Sequence, residues 1–211
     1  VTLVFPRADI LAGLRFQTST PPIVPLWRQE ISRTAGGVTV VKDLGPLLWQ
    51  VSYVTERLLH DAAGALEADL LSLANGGQAF IGHDPRRVAP ASNKTAPLLG
   101  VTVHSVQANR LALRLTGLPA AFVVTKGDWV SINDGINLHL LRAVETVVAA
   151  GTGLSPWFEV RPGLRPGISV GQPVTLRFAP ALFSVDPGTV DRNPSGRIHD
   201  TVSWTATQVI L

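Results

Sequence analysis

Leu47-Leu48-Trp49-Gln50-Val51-Ser52-Tyr53-Val54 is the stretch on which the fold turns. Trp49, Val51 and Tyr53 alternate with Gln50, Ser52 and Val54, and a period of two places aromatic and aliphatic side chains on one face of a strand. Upstream, Val38-Thr39-Val40-Val41 reads as another strand, and Gly45-Pro46 interrupts the chain between them. Downstream, strand-like runs follow at 101–106, 110–116, 121–124, 129–132, 138–148, 157–161, 174–178 and 204–211. Gln107-Ala108-Asn109, Asn133-Asp134-Gly135 and Gly151-Thr152-Gly153 supply turn residues between them. Antiparallel pairs in series predict a sandwich or small barrel.

One helix interrupts this pattern. Over residues 61–74, Leu66, Leu70 and Leu73 fall at i, i+4 and i+7 while Glu67 lies off the stripe. Asp61 is the expected N-cap, because a carboxylate there meets free backbone N–H groups and the positive end of the dipole. Asn75-Gly76-Gly77 is the expected stop. The fold class is therefore mainly β with one helix. Residues 1–97 form a sandwich- or barrel-like part with an N-terminal arm, 98–185 a second small β part, and 186–211 a loop and a strand returning to the core.

Composition narrows the function classes. Of 211 residues 45% are hydrophobic and 16% charged, which excludes disorder, while 19 Gly and 16 Pro spread along the chain argue against a helical bundle. With no Cys, disulfides, thiolate nucleophiles and Cys-ligated metals are excluded. No run of 18 apolar residues occurs, and residues 1–14 lack the basic flank and cleavage site of a signal peptide, so a soluble chain without a membrane partner is expected. The net charge of +3 comes mostly from arginines, scattered singly apart from Arg86-Arg87 and the pair Arg161 and Arg165. That is not the basic stripe of a sequence-specific nucleic-acid reader.

The chemistry-bearing residues assemble no recognisable site. None of the five His shows the i, i+4 spacing of a helical zinc motif, and no nucleophile elbow, phosphate loop or dinucleotide fingerprint is present. His83-Asp84 and His199-Asp200 are adjacent only in sequence, which is not the geometry of acid–base work. Glu145 and Glu159 lie in strands and pair more readily with Arg142, Arg161 or another nearby arginine than with each other. The expectation is a protein that is not an enzyme and has no metal or cofactor. Trp49, Tyr53, Leu66, Leu70, Leu73, Phe80, Trp129, Trp157 and Trp204 are the residues expected to build its core and assembly contacts.

The 47–53 strand, the helix and the segment Gly76-Gly77-Gln78-Ala79-Phe80-Ile81-Gly82-His83-Asp84-Pro85-Arg86 together resemble the belt domain of distal tail proteins from long-tailed phages and related tail-like particles. Gly127-Asp128-Trp129-Val130-Ser131-Ile132, the 138–148 run and Phe158-Glu159-Val160-Arg161-Pro162 resemble the β-rich continuation of phage tail-tip proteins. This resemblance implies a virion structural protein, made in the host cytoplasm and carried at the tail tip. It implies a ring, commonly of six copies, joining the tail tube protein to the hub or baseplate around a channel through which DNA passes without sequence-specific binding. It transfers no catalytic residue. Residues 1–27 and 186–200 are the arms expected to reach neighbours, and neighbours are the expected cover for the 138–148 strand, which is apolar on both faces. The alternatives are another tail or head-to-tail joining protein, such as a tube or terminator subunit, or a carbohydrate-binding β-sandwich using Trp129 with Glu145 or Glu159.

Overall fold

A computed structural model describes residues 3–73, 78–95 and 98–211. The strand Leu48–Val54 is buried at every second residue, and its inward side chains Trp49, Val51 and Tyr53 are 4%, 1% and 0% exposed. It sits in a seven-stranded antiparallel sheet ordered Val24–Leu26, Leu48–Val54, His199–Gln208, Ala181–Val185 and Phe80–Gly82. The short strands Leu58–Leu59 and Asp191–Pro194 pair with the first part of His199–Gln208. The opposite face of the sheet is half-buried and polar, with Ser52 and Thr205 hydroxyls 3.0 Å apart and Gln50 Nε2 donating to Asp186.

A second, six-stranded sheet runs Val174–Thr175, Trp129–Asn133, Leu138–Ala143, Phe158–Arg161, Ala112–Thr116 and Thr102–Val106. Its two end strands meet. Thr102 bridges Pro173, Val103 N–H donates to Gln172 O at 3.0 Å and Gly171 N–H donates to Val103 O at 2.8 Å. The sheet therefore closes into a barrel, which removes the open edges that an antiparallel sheet otherwise presents. Leu113, Leu115, Val130, Ile132, Leu141 and Phe158 fill its interior.

Leu138–Ala143 shows how the halves share one wall. Leu141 points into the barrel core, whereas Leu140 joins the core beneath the first sheet. The expectation that neighbouring subunits cover a 138–148 strand is corrected: the strand stops at Ala143, both faces of Leu138–Ala143 are covered within the chain, and Val147–Val148 pairs separately with Val123–Val124. Ala181–Val185, placed by sequence in the second part, pairs with the first sheet, and the sequence patterning missed it as a strand. Its partners Phe80–Gly82 and His199–Gln208 lie far from it in the chain, so no local signal assigns it to a sheet.

The helix His60–Leu71 packs Ala63, Leu66 and Leu70 under the first sheet against His199–Gln208. Asp61 is not its N-cap. Leu59 holds that position in an extended conformation, because Leu58–Leu59 is still paired in the sheet, and His60 N–H donates to Ile198 O. Asp61 instead lies in the first turn, where its charge complements the dipole. The expected stop at Asn75-Gly76-Gly77, with Ala74, lies outside the described residues.

The two expected arms are also corrected. Residues 3–23 fold back on the body: Ile10, Leu11 and Ile23 join its core, and Arg7 pairs alongside Phe80, covering that edge of the sheet. Arg7, 6% exposed, ties this strap to the helix through Asp69 at 2.8 Å and Ser72 at 3.0 Å. Residues 186–200 are taken up by the pairing of Asp191–Pro194 with the body. Ile10, Leu11 and Ile23 gain more by burial against the core than an extended arm offers them, and Val190 packs against the same core.

Candidate assembly interface

What projects is a segment between these landmarks. Gln29–Arg33 and Thr39–Asp43 form a two-stranded antiparallel hairpin in which every residue is exposed, and so is each residue from 24 to 44. The hairpin continues the pairing of Val24–Leu26 with Leu48–Val54 beyond the break at Gly45-Pro46, and Leu44 N–H donates to Arg28 O at 2.7 Å across the gap. Thr34-Ala35-Gly36-Gly37 makes the tip, where Gly37 adopts a φ of 81° and Gly37 N–H donates to Thr34 O.

Sequence made this ribbon apolar as well as exposed. Ile31 stands opposite Val41 on one face, while Val40 and Val38 lie toward the other. Ile31 is 61% exposed and Trp27, at the root, 64%. A two-stranded ribbon is at best marginally stable in water, and its outer edges carry unpaired backbone groups. No proline or bulge lies within either strand to blunt those edges. Val24–Leu26, the neighbouring edge of the sheet, is open too and presents Val24 and Leu26 to solvent.

The nine residues singled out from the sequence lie elsewhere. Trp49, Tyr53, Leu66, Leu70, Leu73, Phe80, Trp129 and Trp204 all belong to the buried cluster under the first sheet. Tyr53 and Trp204 stack with centroids 5.0 Å apart, and the Tyr53 hydroxyl donates to His83 O at 2.8 Å, with burial pushing its pKa up. Trp157 differs: it is 44% exposed on the barrel under the Arg114 guanidinium. The 29–33 strand was missed because Gln-Glu-Ile-Ser-Arg has one apolar residue. Gly36-Gly37 between it and the 38–41 run was the signal that a hairpin lay there.

The structure brings together the two motifs that carry the resemblance. Trp129 Nε1 donates to Asp84 Oδ2 at 2.8 Å, and Arg87 Nε donates to Asp128 Oδ1 at 3.1 Å. Asp128, 1% exposed, also accepts from Ala91 N at 3.0 Å and Thr125 N at 2.7 Å. These residues join the two halves of the molecule, and their polar atoms are occupied by one another. Arg86 donates to Thr18 O, so the Arg86-Arg87 pair is spent inside the chain.

The remaining chemical candidates resolve in the same way. Glu159 pairs with Arg161 at 2.9 Å, and Glu145 accepts from Glu159 N–H at 3.1 Å, so the carboxylates form no acid–base pair. Trp129 is 3% exposed and cannot stack on a sugar. Asp200 is bound by His60 from the helix and by Arg192, not by His199 beside it. His139, 4% exposed, pairs with Asp134 at 2.7 Å; burial pushes the Asp134 pKa up, but backbone N–H groups of Asn137 and Ile136 and the His139 contact bring it down to about 2. Among the described residues no group of three or more His, Asp or Glu is arranged to hold a metal ion, and no helix is long and apolar enough to cross a membrane. No known protein-family model matches the sequence, and no curated protein matches it significantly.

Proposed function

We propose that this chain is a structural protein that closes into a ring with copies of itself at the distal end of a phage tail, between tail tube and hub or baseplate. One observation carries the reading: a single continuous segment, residues 24–44, is exposed throughout and ends in an unpartnered apolar hairpin. One side of a stable protein interface uses about 20–30 residues and about 800 Å². Residues 24–44 supply a segment of that length, and where it docks on a different surface of the next copy the contact is heterologous and repeats until it closes. The closed barrel supports the same assignment, since its own end strands are paired while the first sheet and its hairpin keep open strand edges. The placement at a tail tip, with six copies around a DNA channel, is supported by the resemblance of the 47–53 strand, the helix and the Asp84-Pro85 turn to belt domains.

Light scattering and negative-stain microscopy of the purified full chain test the reading. Closed rings at micromolar concentration are the expected result. A monodisperse monomer under those conditions overturns it.

A further inference from the structure

The helix His60–Leu71 is apolar on both sides. Its inner face buries Ala63, Leu66 and Leu70, while the opposite face presents Ala62, Ala65, Ala68 and Leu71 to solvent. Ala65 and Ala68 lie nearly opposite the buried stripe, with Ala62 and Leu71 flanking them. Leu59 at the helix start and Ile198 beside it extend this patch, and Leu59, Leu71 and Ile198 are 56%, 59% and 55% exposed. Asp61, one turn before Ala65, places a single exposed charge within this outer face. The two acids that flank the outer face are engaged sideways, Glu67 with Arg192 and Asp69 with Arg7, so they do not screen it.

We propose that this outer helix face is the seat for the 29–43 hairpin of the next copy in the ring. The inference rests on the ring-forming reading and names the surface that receives the hairpin. Three features fit the pair. The alanines give a low ridge on which a flat ribbon lies close, with Ile31 and Val41 side by side on one ribbon face to meet it. Charge is complementary: Arg33 shares the Ile31 and Val41 face of the ribbon and Asp61 lies on the outer face of the helix, and among the described residues neither carries an ion pair. The extent matches as well, since a twelve-residue helix spans about 18 Å and a five-residue strand about 17 Å.

The absence of cysteine makes the test direct. Chains carrying Ile31→Cys are mixed with chains carrying Ala65→Cys and treated with a short bismaleimide, and both sites are exposed, so folding is preserved and checked by circular dichroism. A covalent product joining one chain of each kind is expected. In parallel, Ala65→Arg should raise the concentration needed for assembly by about tenfold or more, with the melting temperature of the dilute monomer unchanged. Rings that assemble normally with Ala65→Arg and give no 31–65 product overturn this seat while leaving ring formation intact. A wild-type chain that stays monomeric overturns both.

Discussion

Trp49 and Trp129 meet edge to face, with ring centroids 4.8 Å apart and planes at 90°, and they belong to different halves of the molecule. Each indole N–H is bound to a third element. Trp49 Nε1 donates to Leu140 O at 2.7 Å on the barrel wall, and Trp129 Nε1 to the buried carboxylate of Asp84. Arg142 lies over the Trp129 ring, 5.1 Å from its centroid. The pair therefore fixes the first sheet, the barrel and the Asp84 turn at one point.

Trp129→Phe keeps most of the ring contact and removes the donor. Asp84 then loses a partner for a buried charge, which costs about 1–3 kcal/mol in urea unfolding. Trp49→Ala should cost more, about 3–5 kcal/mol, because it opens a cavity between the halves. A double-mutant cycle with both positions as Leu, which removes the aromatic pair, should return a coupling of about 0.5–1.5 kcal/mol. Additive losses would show that the rings merely adjoin.

Gly82 sits where the first sheet has no room for a side chain. A Cβ there would lie 2.7 Å from the Tyr53 hydroxyl and 2.8 Å from Phe183 Cδ2. Both neighbours are fully buried, so Gly82→Ala should destabilise the fold by about 1–3 kcal/mol through overpacking, read as a lowered urea midpoint. Gly82→Ala combined with Tyr53→Phe should recover part of that loss.

Asp128→Ala removes the acceptor shared by Arg87, Ala91 and Thr125. Breaking one side of a buried ion pair and freeing buried N–H groups should cost about 3–5 kcal/mol. Hydrogen exchange should rise at Ala91 and Thr125, while amides of the 29–43 hairpin should be unaffected.

His60 and Asp200 set a pH dependence. Hydrogen bonding from His60 Nδ1, and then from Arg192, holds the Asp200 carboxyl below its ordinary range, and the same contact raises the His60 pKa. The Asp200 contribution is present above a pH of about 4 and is lost as pH falls through its lowered value. The His60 contribution is complete below about 6.5 and is lost as pH rises through its raised value. Thermal melts of His60→Gln should therefore differ most from wild type in mildly acidic buffer and converge toward it in alkaline buffer. A gap that widens with rising pH would show that the contact is not ionic.

How much was legible follows from which interactions are local. Alternation in 47–54 and the leucine spacing of 66, 70 and 73 reflect side chains meeting one cover, so strand, helix and buried faces could be read directly. The ladder partners of 181–185 depend on strands far away in sequence, and that run was missed. Gln29–Arg33 carries little apolar signal because it faces water on both sides, so this half of the hairpin is not legible as a strand. Residues 1–27 read as an arm or a strap because their prolines prescribe an extended path but do not say what the path lies against.

The sequence by itself determined a chain of short strands with one helix, without cysteine chemistry and with an aromatic core, since these follow from periodicity, turn residues and composition. Only the tertiary structure decided that the second sheet closes on itself, that the strap and the 186–200 segment return to the body, and that residues 24–44 and the outer helix face are left uncovered. The physical reason is that burial is settled by which distant segments reach a surface first, and exposed apolar groups become visible only after every other pairing has been made.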